Sequence, residues 1–191
     1  HYPCIKEKAD WALKWTNREN NSIASRLLAF TIVEGVFFSG AFCAIFWLKK
    51  SNKMPGLTVS NEFISRDEGL HTDFGILMYR KCKDQLSKET VNSIFKEAVS
   101  IEKQFITSSI PCALLGMNNI LMCQYIEYVS DRLLVQLGYD KLYNTKNPFA
   151  FMENISINNK TNFFEERVSE YNKSGIGSSK EDMSFELDDD F

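Results

Sequence analysis

Apolar and polar residues alternate along the first 138 positions with the period of amphipathic helices. Trp11 and Trp15 stand four residues apart in the first of these patterns, and polar connections or proline separate the later ones. Gly138 follows the last pattern, where glycine typically ends a helix. The sequence therefore predicts an all-α protein with helices over residues 4–17, 27–48, 57–82, 88–109 and 112–137.

The second pattern, residues 27–48, is about as apolar as a membrane span and long enough to cross a bilayer. It contains Glu34 and is interrupted by Gly35 and Gly40. A helix that is apolar all round also fits the centre of a large soluble bundle, which is the interpretation we favour. Burying the Glu34 carboxylate costs several kcal/mol or more unless a partner compensates. A metal ion is the most economical partner.

The third pattern carries Glu68 and His71, which are three residues apart. On a helix this spacing places a carboxylate and an imidazole on one face, one turn apart. Oxygen and nitrogen donors side by side suit iron or manganese. Because Glu-x-x-His also occurs by chance on solvated helix faces, the pattern alone leaves both interpretations open.

The composition indicates the class of protein and its cellular compartment. With 44% apolar and 25% charged residues among 191, the chain resembles an ordinary soluble globular protein, and its net charge of −3 favours neither nucleic acid nor an anionic membrane as a partner. Five cysteines without paired spacing are typical of a reduced, cytoplasmic protein. Helical periodicity is lost near residue 158, and six acids without a base follow position 180. We therefore predict a helical domain over 1–157 and a flexible tail over 158–191.

Glu34 together with Glu68 and His71 makes half of a known ligand set. Ferritin-like dimetal carboxylate proteins use one Glu from each of two helices and Glu-x-x-His from each of two others. The sequence contains one Glu-x-x-His, and His1 is the only other histidine. This chain thus offers three ligands of a six-ligand site.

Several longer runs resemble the small, radical-generating subunit of class I ribonucleotide reductase, most closely its eukaryotic branch. They include residues 33–40 (VEGVFFSG), 65–71 (SRDEGLH), 147–149 (NPF), 152–156 (MENIS) and 160–165 (KTNFFE), with the final Phe191. The resemblance extends over essentially the whole chain. The resemblance implies that the chain is the C-terminal portion of such a subunit, and its start at His1 rather than at Met leads us to expect an incomplete translation product.

The resemblance implies a partial ferritin-like helical bundle with an extended, flexible C-terminal tail. It also implies two iron ions per complete subunit, with manganese possible, which use O₂ to oxidise a tyrosine to a stable radical. The radical is then passed to a large subunit, where ribonucleoside diphosphates become deoxyribonucleotides. Expected partners are this large subunit and a second small subunit in a homodimer.

The resemblance also assigns roles to individual residues, where composition alone would suggest core or surface positions. The expected metal ligands are Glu34, Glu68 and His71; the pocket that shields the radical contains Phe38, Phe42 and Ile64; Asp67 and Tyr171 take part in radical transfer; Phe185, Leu187 and Phe191 anchor the tail on the large subunit.

The family's remaining ligands, its radical tyrosine and its relay tryptophan have no counterpart in this sequence. We therefore expect the chain alone to be inactive, and burial of the pocket residues to be incomplete. Two alternatives remain open. The first is that the chain is another dimetal-carboxylate oxidase, which would have no use for Tyr171. The second is that it is a non-catalytic interaction module whose tail docks on the large subunit.

Overall fold

The computed structural model describes residues 3–109 and 117–152. Within these ranges the chain is helical and contains no β-strand, which confirms the predicted all-α class. The predicted domain boundary at 157 lies outside the described residues. The helices are α1 (Pro3–Thr16), α2 (Ile23–Gly35), α3 (Ser39–Lys50), α4 (Pro55–Arg80), α5 (Lys88–Ser109) and α6 (Asn119–Leu137).

Helix α2 lies in the middle of the packing, with α4 and α1 as its main neighbours, and α5 packs against α6 and α1. Leu28 and Ile32 of α2 are fully buried, as are Phe95 of α5 and Ile126 of α6. These side chains form one apolar core. Complete burial of such a side chain stabilises the fold by roughly 1.5–3 kcal/mol.

The single helix predicted over residues 27–48 is wrong, because the backbone breaks at residues 36–38 into α2 and α3. The Val36 and Phe37 amides both donate to the Ile32 carbonyl, at 2.8 and 3.3 Å. The second of these bonds spans five residues, as in the π-type widening that interrupts α-helices. Ser39 Oγ then donates to the Val36 carbonyl at 2.7 Å, which satisfies that oxygen at the break.

Local capping fixes other helix ends. Ser22 Oγ accepts the Ser25 amide at the start of α2, and Gly138, at φ 96°, ends α6 as predicted. The helix predicted over residues 112–137 is wrong at Met117 and Asn118, the first two of its described residues, because neither is helical. Asn118 Oδ1 accepts the Leu121 amide at 2.9 Å, and a side chain in that role belongs to an N-cap.

The stretch Ile23–Lys50 is long and apolar enough to cross a membrane, with a mean hydropathy of 1.9. Half of its apolar 18-residue segment is buried against the rest of the protein. The break at residues 36–38 lies inside it, and Glu34 precedes the break. Interrupted backbone and a carboxyl group are costly in lipid. The stretch therefore has the character of two core helices.

Helix α4 turns an apolar face outward in the described structure. Leu70, Phe74, Leu77 and Met78 have 64%, 56%, 51% and 37% of their surface exposed. The buried residues of α4 are instead Thr58, Asn61, Gly75, Ile76 and Tyr79, of which Thr58, Asn61 and Gly75 are small or polar. Small side chains let neighbouring helices approach closely, so these residues determine how near α4 comes to α2.

Candidate metal centre

The three predicted ligands lie on two neighbouring helices. Glu34 is the penultimate residue of α2, and Glu68 and His71 lie one turn apart in α4. One donor atom from each residue falls in a cluster whose members are all within 4.8 Å of one another. The structure therefore brings Glu34 together with the two other predicted ligands, which follow it by 34 and 37 positions.

The contacts within the cluster are direct. His71 Nδ1 lies 2.9 Å from Glu68 Oε2 and 3.5 Å from Glu34 Oε2. The carboxyl groups of Glu34 and Glu68 also share a hydrogen bond. The side chains of Glu34 and Glu68 are only 14% and 21% exposed, whereas that of His71 is 56% exposed. The cluster thus opens to solvent on the imidazole side.

The two carboxyl groups titrate differently because their surroundings differ. Burial, followed by the hydrogen bond and negative charge of Glu68, raises the pKa of Glu34 to about 7. The hydrogen bond with Glu34, and then that with His71, lowers the pKa of Glu68. The hydrogen bond with Glu68 also raises the pKa of His71. With a pKa of about 7, Glu34 is therefore only partly ionised near neutral pH and can donate its proton to the Glu68 carboxylate.

The donor set fits a divalent transition metal. Two carboxylates and one imidazole are ligands for iron or manganese, and the raised pKa of Glu34 marks a position where positive charge is lacking. Three protein ligands leave further coordination positions to other donors.

Close contact between α2 and α4 depends on Gly75, one turn beyond His71. A Cβ built on Gly75 would lie well inside 3.0 Å of Thr31 Oγ1 and 3.2 Å from Phe30 Cδ1. Thr31 is one turn before Glu34, is fully buried, and donates its hydroxyl to the Leu27 carbonyl at 2.7 Å. The helices therefore touch one turn away from the ligands, where glycine is required by space.

The predicted pocket residues are partly exposed in the described structure. Phe38, in the break after α2, is 37% exposed, and its ring centroid lies 6.0 Å from that of Phe42 in α3. Ile64, one turn before Glu68, is 50% exposed. Asp67 is a residue of α4 beside Glu68. Their assigned roles stay predictions.

Four further predicted site residues belong to the C-terminal segment. These are Tyr171, Phe185, Leu187 and Phe191, and they lie outside the described residues. Their roles in radical transfer and in docking also stay predictions.

Sequence reasoning missed two charged residues beside the break. Lys8 of α1 and Glu102 of α5 form an ion pair, and Glu102 is fully buried. Glu102 occupies a core position in the apolar pattern of α5, between Val99 and Ile106. An acid at such a position was a signal in the sequence that a cation lies nearby.

Comparison with known proteins identifies relatives of the chain. The family model described as "Ribonucleotide reductase, small chain" matches residues 1–148. The chain is 57% identical over 192 residues to the ribonucleoside-diphosphate reductase small chain of Spisula solidissima, covering 99% of the chain and 50% of that relative. It is 57% identical over 189 residues to ribonucleoside-diphosphate reductase subunit M2 of Danio rerio, covering 99% and 49%. The chain thus spans about half the length of these relatives.

Solved structures show the same fold. The Rnr4 homodimer of Saccharomyces cerevisiae matches with a TM-score of 0.74 and 38% identity, over 89% of this chain and 51% of that one. A protein of Bacillus halodurans, described as a putative class I ribonucleotide reductase, also matches with a TM-score of 0.74. The second match has 22% identity over 81% of this chain and 60% of that one, and it bears on the fold alone.

Proposed function

Since the chain belongs to the ribonucleotide reductase small-chain family, we propose that it is part of a ribonucleoside-diphosphate reductase small subunit and supplies three ligands of its metal centre. The observation that carries this proposal is the meeting of Glu34, Glu68 and His71 within 4.8 Å. Relatives named as ribonucleoside-diphosphate reductase small chains supply the reaction class. The chain spans half their length, so the remaining ligands of a two-iron centre would come from the other half.

In the proposed centre each residue has a distinct task. Glu68 and His71 offer an oxygen and a nitrogen donor one turn apart, and a metal bound by both would replace their mutual hydrogen bond. Glu34 gives up its proton when the metal binds, so its carboxylate then carries the compensating charge. Iron, or manganese in its place, would activate O₂, the oxidant for making a tyrosyl radical, and this chain would provide part of the surroundings.

The residues around the ligands extend the proposal. The rings of Phe38 and Phe42, with Ile64, would exclude water from the radical once the rest of the subunit covers them. Asp67, next to Glu68 in the chain, would connect the centre to the transfer path, and Tyr171 would carry the radical towards the large subunit. These assignments rest on the family resemblance.

We also propose two partners and a compartment. The yeast Rnr4 structure is that of a homodimer, and by analogy we propose a homodimer of small subunits. The second partner is the large subunit, bound through the apolar residues of the acidic tail, Phe185, Leu187 and Phe191. The absence of paired cysteine spacing supports a cytoplasmic location.

Metal titration of the 191-residue chain tests the centre. We expect Co²⁺ to bind with about one ion per chain, and Glu34→Gln, Glu68→Gln and His71→Ala each to weaken binding at least tenfold. Asp73→Asn is the matched control, because Asp73 is an exposed acid on the same helix that is not a member of the cluster. Equal binding by wild type and the three ligand variants would contradict the proposed centre.

A peptide tests the proposed docking segment. We expect a peptide of residues 185–191 to inhibit ribonucleotide reduction by an intact large and small subunit. The control peptide carries serine at the positions of Phe185, Leu187 and Phe191 and keeps every acid. Inhibition by both peptides alike, or by neither at high concentration, would remove the anchoring role of these side chains and favour a function without tail docking.

A further inference from the structure

A buried ion pair contacts the break that follows Glu34 and is not part of the proposed metal-ligand cluster. Lys8 Nζ of α1 is 2.5 Å from Glu102 Oε2 of α5, and their side chains are 15% and 0% exposed. Withdrawing two charges from water costs several kcal/mol per ion, so a buried pair is weak evidence for stability as such. Its contacts indicate a different use.

The ammonium group of Lys8 reaches the backbone at the break between α2 and α3. Lys8 Nζ donates to the Phe37 carbonyl at 2.6 Å, and it lies 3.7 Å from the centroid of the Phe105 ring. Hydrogen bonds from a charged donor are about twice as strong as neutral ones. Lys8 therefore holds a carbonyl in the middle of the turn formed by residues 36–38.

The carboxylate of Glu102 contacts the other side of the same break. A Cβ built on Gly40 would lie 2.9 Å from Glu102 Oε1 and 2.5 Å from Ile106 Cγ1, so only glycine leaves room there. Burial raises the pKa of Glu102 to about 7, while the charge of Lys8 and the Gly40 amide favour its ionised form. Lys8 of α1 thus contacts the middle of the turn, and Glu102 of α5 contacts the start of α3.

The position of this turn bears on the direction of Glu34. The turn starts two residues after Glu34, and its first two amides converge on the Ile32 carbonyl, two residues before Glu34. Each residue rotates an α-helix by about 100°. Converting the turn into regular helix would therefore rotate α2 relative to α3 and change the side of α2 that faces α4.

We propose that Lys8 and Glu102 are positioning residues for the metal centre, which hold the turn at residues 36–38 and keep Glu34 directed towards Glu68 and His71. This inference rests on the metal centre proposed above. In this proposal the ion pair determines the orientation of Glu34 and does not itself contact the metal.

Variants of the 191-residue chain separate this role from general stabilisation. Lys8→Met removes the donor to Phe37 and keeps an apolar stem, and Glu102→Gln keeps the side-chain volume. Lys8→Arg keeps the charge and a donor. The matched control is Lys14→Met, because Lys14 also joins α1 to α5 through an ion pair with Glu97, at 2.7 Å, and lies two turns along α1 from Lys8.

Two measurements are made on each variant: hydrogen exchange of the amides of residues 36–42 without metal, and the affinity for Co²⁺. We expect exchange in this segment to become about tenfold faster in Lys8→Met and Glu102→Gln, which corresponds to losing one hydrogen bond of a charged group. We expect Co²⁺ affinity to fall about tenfold in the same two variants. Lys14→Met should match wild type in both, and Lys8→Arg should recover most of the loss.

The outcomes separate this inference from the proposed function. Unchanged exchange in Lys8→Met and Glu102→Gln, or equal effects in Lys14→Met, would overturn the positioning role. Normal Co²⁺ affinity in both variants would also overturn it, while leaving the metal centre in place. If wild type binds no Co²⁺, the metal centre is wrong, and a selective change in exchange then supports only the holding of the turn. If Lys8→Met fails to fold, Glu102→Gln decides.

Discussion

Replacing Gly75 by alanine tests whether close contact of α2 and α4 assembles the metal ligands. The added Cβ would overlap Thr31 Oγ1 and press on Phe30 Cδ1 at 3.2 Å. Thr31 cannot rotate away freely, because it is fully buried and its hydroxyl bonds the Leu27 carbonyl. The helices must therefore separate, or that hydrogen bond must break.

The expected cost follows from these contacts. Overpacking a buried contact costs about 1–3 kcal/mol, and exchanging glycine for alanine inside a helix returns up to about 1 kcal/mol. We expect Gly75→Ala to lower the free energy of unfolding by about 1–2 kcal/mol. Because the donor atoms cluster within 4.8 Å, separating the helices should also weaken Co²⁺ binding by about tenfold.

Gly69→Ala is the matched control on the same helix, since a Cβ there meets nothing within 4 Å. It should raise the free energy of unfolding by up to about 1 kcal/mol and leave Co²⁺ affinity unchanged. Urea unfolding followed by circular dichroism gives the stabilities, and Co²⁺ absorption gives the affinities. The reasoning would be refuted if Gly75→Ala were as stable as Gly69→Ala and bound Co²⁺ equally well. Adding Thr31→Ala to Gly75→Ala should restore part of both losses.

Two further predictions concern the pH dependence of Co²⁺ binding and the buried carboxylate of Asp131. Because the pKa of Glu34 is raised to about 7, the pKa of His71 is also raised, and metal binding releases both protons, Co²⁺ affinity should rise with pH through about 7. A flat profile from about pH 5.5 to 8 would contradict this. Buried Asp131 accepts the amides of Leu142 and Tyr143 at 2.8 and 2.9 Å. Asp131→Asn should therefore lower the free energy of unfolding by about 1–3 kcal/mol without changing Co²⁺ affinity. A loss of Co²⁺ affinity in this variant would contradict a role limited to the segment of Leu142 and Tyr143.

Local features of this protein could be read from the sequence. The all-α class follows from helical periodicity, and the end of α6 follows from Gly138, since a helix end depends on neighbouring residues. Glu68 and His71 meet because they are three residues apart in one helix, which places them on the same face. The buried carboxyl of Glu34 was visible as a lone acid in an apolar run.

Tertiary structure decided where these local features meet. The break at residues 36–38 interrupts a strongly helical pattern, and its Phe37 carbonyl is satisfied by Lys8, which lies 29 positions earlier on another helix. The approach of Glu34 to Glu68 depends on the space left by Gly75 against Thr31. Periodicity describes one helix at a time, and it carries no information about which side of a helix finds a neighbour. For the same reason periodicity did not show that Leu70, Phe74 and Leu77 of α4 are exposed in the described structure, whereas Gly75, Ile76 and Tyr79 are buried.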